Sequence, residues 1–235
     1  MHYDQEDGGT AIDTVFDEMA QPGEPPRIIY QRIQQWLDAT PAEDLERKRQ
    51  EADTMFRRLG ITFSVYSEGG DPERLIPFDI VPRVFGAVEW ALLSDGAIQR
   101  VKAINAFIHD IYHGQEILKA GIVPTELVMQ NDQFRPEMIG LDLPHNIYAH
   151  IIGIDMVRTG ENEFYVLEDN ARTPSGVAYM LENREVMMRL FPELFAGHRV
   201  APVESYPAEL RRTLRSVAPP SAISPTIAVL TPGIY

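Results

Sequence analysis

Leu167-Glu168-Asp169-Asn170-Ala171-Arg172-Thr173-Pro174-Ser175-Gly176 is the stretch on which the reading of this chain turns. Upstream of it, residues 147–157 are apolar and rich in strand-forming types, Arg158 closes the run, and Thr159-Gly160-Glu161-Asn162 has turn chemistry. Residues 163–169 then return as a second strand-like run. Two such runs around a Gly/Asn turn predict an antiparallel hairpin. Glu168 and Asn170 stand two apart on the returning strand, so both side chains point to one face. With the turn centred on Gly160-Glu161, Arg158 pairs with Glu163, Gly153 lies opposite Glu168, and Asp155 is a diagonal neighbour on that face. An odd-length loop or a bulge would shift this register.

Two carboxylates and an amide oxygen on one sheet face suit a hard divalent cation. Magnesium takes oxygen ligands and is commonly shared between one or two carboxylates and substrate phosphates. Asn170 ligates through its carbonyl oxygen without adding charge. The chain has no cysteine and no HExxH pair, so zinc is a poor candidate. The neighbours Phe164, Val166 and Leu167 are apolar, and two uncompensated carboxylates beside them would repel each other. A metal removes that conflict, and so does an arginine such as Arg172. Past the strand, Ser175-Gly176 opens a predicted helix over Val177–Leu190. Free N–H groups at a helix entry suit an anion, although the same residues also serve as a plain helix cap.

Outside this segment, residues 1–26 read as a flexible lead-in, with a possible short helix over 11–19. A helix is predicted over 27–39, where Ile28, Ile29, Ile33, Trp36 and Leu37 recur at helical spacing. Thr40, Pro41 and Glu43 have the form of a capping box for a second helix that stops at Gly60. Residues 61–66 alternate as a strand, and 68–72 form a turn. A long helical zone covers 85–119, with a possible break at Ser94-Asp95-Gly96, and 127–130 read as a short strand. Another helix is expected over 206–217. Residues 218–224 form a Pro-rich linker, and Thr226-Ile227-Ala228-Val229-Leu230 reads as a strand opening a truncated further domain over 225–235. Asp79 and Arg83 lie in a Pro-bounded segment, with a salt bridge or turn as their role. His109 and His113 face the same way on a helix, but no carboxylate at helical spacing completes a metal site with them. Met187 and Met188 read as core, and His145 and His198 fall in loops.

The whole-chain figures set outer limits. The 235 residues are 44% hydrophobic, enough for a sizeable core. Asp+Glu number 35 against 21 Lys+Arg, a net charge of −14, which excludes nucleic acid as the expected partner. The N-terminus lacks the basic start and apolar run of a signal peptide. With no cysteine and no long apolar span, the expected location is the cytoplasm, with no membrane partner.

Residues 167–176 resemble the magnesium strand of ATP-grasp ligases, in which Glu-x-Asn precedes a Thr/Pro/Gly loop. Pro77-Phe78-Asp79-Ile80-Val81-Pro82-Arg83, Glu89-Trp90, Gln99-Arg100 and Tyr179-Met180-Leu181-Glu182-Asn183-Arg184 are similar to the circularly permuted ATP-grasp group, relatives of glutathionylspermidine synthase. The resemblance covers roughly residues 60–235. It implies an α+β fold: a helical N-terminal region, an antiparallel ATP-grasp-type sheet flanked by helices over residues 27–217, and a final strand that begins a Rossmann-like domain. It implies ATP and Mg²⁺ as cofactors. Asp155, Glu168 and Asn170 match the metal ligands, Arg172 a catalytic contact to the carboxylate or acyl phosphate, and Ser175 and Gly176 the cofactor-binding loop. The implied activity is amide formation, as part of an ATP-dependent carboxylate–amine ligase working through an acyl phosphate. The substrates would be a small carboxylate or peptide-like acid and an amine acceptor. The nucleotide-grasping half would lie in a missing C-terminal portion or a partner chain. The alternative is a non-catalytic, ATP-grasp-like binding protein or an inactive fragment that needs a partner. In one respect the sequence departs from the family: many ATP-grasp enzymes carry an arginine two residues before the metal-binding aspartate, and here that position is Gly153.

Overall fold

The computed structural model describes residues 16–20, 23–63, 74–172 and 174–229. In chain order its helices are α1 (Gln31–Ala39), α2 (Ala42–Leu59), α3 (Ala87–Tyr112), α4 (Glu116–Lys119), α5 (Thr125–Met129), α6 (Val177–Leu190), α7 (Pro192–Ala196) and α8 (Tyr206–Ser216). Its strands are β1 (Thr62–Phe63), β2 (Arg74–Leu75), β3 (Gly153–Gly160) and β4 (Glu163–Asn170). β1 pairs antiparallel with β2, and β3 pairs with β4. The mixture of helices with antiparallel pairs agrees with an α+β class. Two compact units divide the chain: Met1–Trp90 with Ile154–Asp169 and Met187–Gly197, and Ala91–Gly153 with Asn170–Val186 and His198–Tyr235.

The first unit is built on an aromatic core. Tyr30, Ile33, Ala52, Phe56, Ile61, Met187, Leu190, Phe191 and Leu194 are buried. Ala52 and Phe56 are four apart on α2, which is the inward stripe of an otherwise charged helix. α2 stops in a Schellman turn: Gly60 takes φ 68°, its N–H reaches the Arg57 carbonyl, and the Ile61 N–H reaches the Phe56 carbonyl at 2.9 Å. Ile61 and Phe56, the apolar pair of that motif, are both buried. Phe191 has no exposed surface. It meets the Trp36 ring edge-on at 5.3 Å and lies under the Lys48 ammonium at 4.7 Å.

The second unit is organised by Asn105 on α3. Its carbonyl oxygen accepts from the N–H groups of Tyr148 at 2.7 Å and Ala149 at 3.0 Å, and its amide donates to the Ala149 carbonyl at 3.2 Å. A single buried side chain thus stands in for a strand partner over residues 148–149. Asp110 ends α3 in a similar way. Its carboxylate accepts from the N–H groups of Ile117 and Glu116, and these hydrogen bonds hold it below its ordinary pKa while they cap α4.

Several expectations need correction. Thr40 does not cap α2: its hydroxyl turns back to the Trp36 carbonyl at 2.6 Å, and Pro41 occupies the cap position. α3 runs unbroken through Ser94-Asp95-Gly96, because a helical glycine costs only about 1 kcal/mol. Residues 125–129 form helix α5 rather than a strand, since a short apolar run carries no periodicity that separates the two. The first hairpin strand starts at Gly153, not near 147, because Asn105 takes the backbone groups just upstream. Met188 is 40% exposed, whereas Met187 is buried. Residues 225–229 belong to no strand, so a strand opening a Rossmann-like domain is not seen among the described residues. Residues 16–19 carry no helix, and the remainder of the helix expected at 11–19 lies outside the described residues, as do the turn at 68–72 and the later part of the strand at 61–66.

Replacing Phe191 by Ala should lower the unfolding free energy by about 3–5 kcal/mol in urea melts. A loss below about 1 kcal/mol would remove Phe191 from the core described here.

Candidate functional site

β3 and β4 are eight residues each and are joined by Glu161-Asn162. The turn therefore lies one residue later than the sequence predicts. Gly160 stays in the strand, where a Cβ would stand 3.0 Å from the Glu163 carboxylate. At the open end, a Cβ built on Gly153 would lie 3.5 Å from the Asn170 Cβ, which pairs Gly153 with Asn170 instead of Glu168. Two residues further into each strand, Asp155 then stands directly opposite Glu168. The slip moves the pairing by an even count, so each side chain keeps its expected face. Asp155, Glu168 and Asn170 are all exposed.

Arg172 is exposed just past the end of β4, and Thr173 lies outside the described residues. Gly176 takes φ 95°, a conformation that L side chains rarely adopt, and its carbonyl accepts from the Met180 N–H as α6 begins. The first-turn N–H groups of α6 open toward Ser175 and Gly176. Gly153 has a second neighbour, since its built Cβ would meet Pro174 at 3.1 Å.

Among the described residues no three His, Asp or Glu side chains come together as a metal site. On the hairpin, Asp155, Glu168 and Asn170 are oxygen-bearing residues: two carboxylates and one amide. That all-oxygen, incomplete set fits magnesium better than a soft metal.

The closed end of the hairpin is held by a buried charge cluster in the first unit, which the sequence did not reveal. The Arg158 side chain is only 3% exposed, and its guanidinium donates to Glu89 at 2.7 Å. It also donates to the carbonyls of Gly160 and Glu161, spanning the turn. Phe16 and Phe164 each place a ring 5.0 Å from it. Glu89 is the third residue of α3 and accepts from the Gly86 N–H at 2.9 Å, half of a capping box. Arg27 donates to the same carboxylate. Burial alone would raise the Glu89 pKa, but the Gly86 N–H, Arg158 and Arg27 outweigh it and hold the carboxyl below its ordinary value.

Other candidates take structural places. Asp79 accepts from the Val81 N–H at 2.9 Å, a local turn, and Arg83 pairs with Glu18 at 2.8 Å rather than with Asp79. The His109 and His113 rings stack at 4.1 Å. His113 lies 3.3 Å from Asp142, a carboxylate brought in from a loop that helical spacing could not reveal. Cavities of about 460 Å³ and 850 Å³ occur in the first and second units respectively, and neither is lined by Asp155, Glu168 or Asn170.

A family model described as a circularly permuted ATP-grasp matches residues 82–235. An uncharacterised protein of Synechocystis is 42% identical over 220 residues, covering 93% of this chain and 46% of that protein. An uncharacterised protein of Mycobacterium tuberculosis is 42% identical over 220 residues, covering 94% of this chain and 39% of its own length. A Frankia casuarinae protein provisionally named a glutamate–cysteine ligase is 34% identical over 223 residues, covering 94% of this chain and 25% of its own length. The chain thus spans less than half the length of these curated relatives.

Removing one side of the buried cluster with Glu89→Ala should cost about 1–3 kcal/mol, because buried Arg158 loses its hydrogen-bonded carboxylate and keeps, among the described residues, only Glu18, 3.6 Å away, as an acidic partner. The pH dependence has a definite sign. A carboxyl held below its ordinary value of 4.5 stabilises the fold above that pH, and the contribution is lost as the pH falls through the folded-state value. The stability gap between the native protein and Glu89→Gln should therefore be full at neutral pH and shrink in urea melts taken below about pH 4.5. A gap that does not change with pH would contradict an ionised, paired Glu89.

Proposed function

This chain belongs to the circularly permuted ATP-grasp family, and from that premise we propose that it supplies the magnesium-holding strand of an ATP-dependent ligase joining a carboxylate to an amine. The observation that carries the reading is the pairing of Asp155 across the ladder from Glu168, with Asn170 two residues further along β4. In this reading Asp155 and Glu168 hold Mg²⁺ through their carboxylates and Asn170 through its amide oxygen. When bound, the ion would supply positive charge that offsets the charge developing on the transferred phosphoryl group.

The chain's own residues do the rest by position. The carboxylates are exposed, so an ion can approach them from solvent and exchange part of its hydration shell for their oxygens. Arg172, two residues past Asn170 in the sequence, offers a planar, permanently charged donor for the acid or its acyl phosphate. Ser175 and Gly176 present the α6 N-terminus to an anionic group of substrate or nucleotide. In this reading the acid's carboxylate takes the γ-phosphoryl group of ATP as ADP leaves; the amine then attacks the acyl carbon, loses a proton and expels inorganic phosphate, leaving the amide. A relative provisionally named a glutamate–cysteine ligase supports an amide-forming reaction class. We place the nucleotide-grasping half in the remaining length that the relatives possess.

In the intact protein, Glu168→Ala and Asn170→Ala should each reduce ATP turnover about a hundredfold or more. Because both residues are exposed, the melting temperature should stay within a few degrees of the parent's. Parent-level turnover in either variant would refute the metal assignment, and a collapsed melting curve would instead make these residues structural.

A further inference from the structure

The larger cavity, about 850 Å³ and built entirely within the second unit, has a wall chemically unlike the chain as a whole. Of its thirteen lining residues five are basic or histidine: Lys102, His109, His145, His150 and Arg212. The chain carries 21 Lys+Arg and 6 His in 235 residues, so thirteen average residues would include about one or two. No Asp or Glu lines the cavity, although acidic residues outnumber Lys and Arg 35 to 21 in the sequence.

The charges differ in availability. Lys102 on α3 is exposed and has no ion-pair partner among the described residues. Arg212 on α8 sits at the rim and shares its charge with Glu209, one turn earlier. Thr213 adds a hydroxyl beside it. His145 is held at φ 60° and the next residue, Asn146, at φ 56°. Two consecutive non-glycine residues in the left-handed region are uncommon, and such strain persists where the surroundings over-determine it. Here the surroundings include Asn105, whose hydrogen bonds to Tyr148 and Ala149 fix the following residues against α3. The wall is therefore pre-shaped, cationic and free of carboxylates in an acidic protein.

We propose that this cavity binds the oxyanion group of a small molecule, a carboxylate or a phosphate, with Lys102 as the charge partner and His150 and Thr213 as hydrogen-bonding groups. An ionised acceptor strengthens such hydrogen bonds, and a fixed wall lowers the ordering cost of binding. The proposal does not rest on the ligase reading.

Calorimetric titration of the 235-residue chain with inorganic phosphate, and separately with succinate, at constant ionic strength tests it. Saturable one-to-one binding below ~10 mM is expected for at least one anion, and the anion that binds identifies the chemistry. Lys102→Glu and His150→Ala should each weaken that binding about tenfold while the melting temperature is unchanged. Absence of saturable binding for both anions, or parent affinity in both variants, would overturn the proposal.

Discussion

A guanidinium cannot shed its charge to escape burial, and the Arg158 side chain is almost wholly buried. Something must therefore neutralise it, and the placement of β3 and β4 follows from what does. Glu89 is available because α3 begins two residues before it, so one carboxylate serves a helix N-terminus and two arginines. A two-stranded hairpin is marginal in isolation. With Arg158 tied to Glu89 and to its own turn carbonyls, the closed end is fixed in the first unit. Replacing such a network by apolar groups is often neutral or stabilising. Its role here is better understood as orientation: it settles which way the hairpin points and which residues fall at its free end.

That division runs along the length of the hairpin. At the closed end the charge is cationic, buried and compensated. Beyond it lie Asp155 and Glu168, acidic and exposed, and they stand opposite one another. Like charges directly across a ladder are destabilising by a few tenths to about 1 kcal/mol. Water screens much of that repulsion, which is why the pair is tolerable on the surface and would not be in the core.

How much of this was legible depended on whether a residue's role was local. The helix over Val177–Leu190, the Gly60 stop and the strand-turn-strand pattern were readable because periodicity and turn chemistry act within a few residues. The shared face of Glu168 and Asn170 was readable for the same reason, since alternation along one strand survives a change of register. The register itself was not, because it depended on Gly160 joining the strand. Arg158 looked like a plain end to an apolar run, and its partner Glu89 lies 69 residues away in sequence. Asn105, which removes residues 148–149 from the expected strand, acts across 43 and 44 residues. His145 looked uninformative as a loop residue, and its significance comes from the backbone strain and the cavity it lines.

The departure at Gly153 can also be given a physical cause. Relatives in the wider ATP-grasp group are expected to place an arginine there. In this chain any side chain at 153 would meet Pro174 at 3.1 Å from its first carbon, closer than neighbouring atoms ordinarily sit. The close approach of the loop after β4 and a side chain at 153 are therefore mutually exclusive without movement of Pro174. On the proposed ligase reading, the phosphate contact that an arginine would make must be supplied from elsewhere. Arg172 and the α6 N-terminus lie on the same segment as Pro174, so the loop that excludes a side chain at 153 also carries the groups that would replace it.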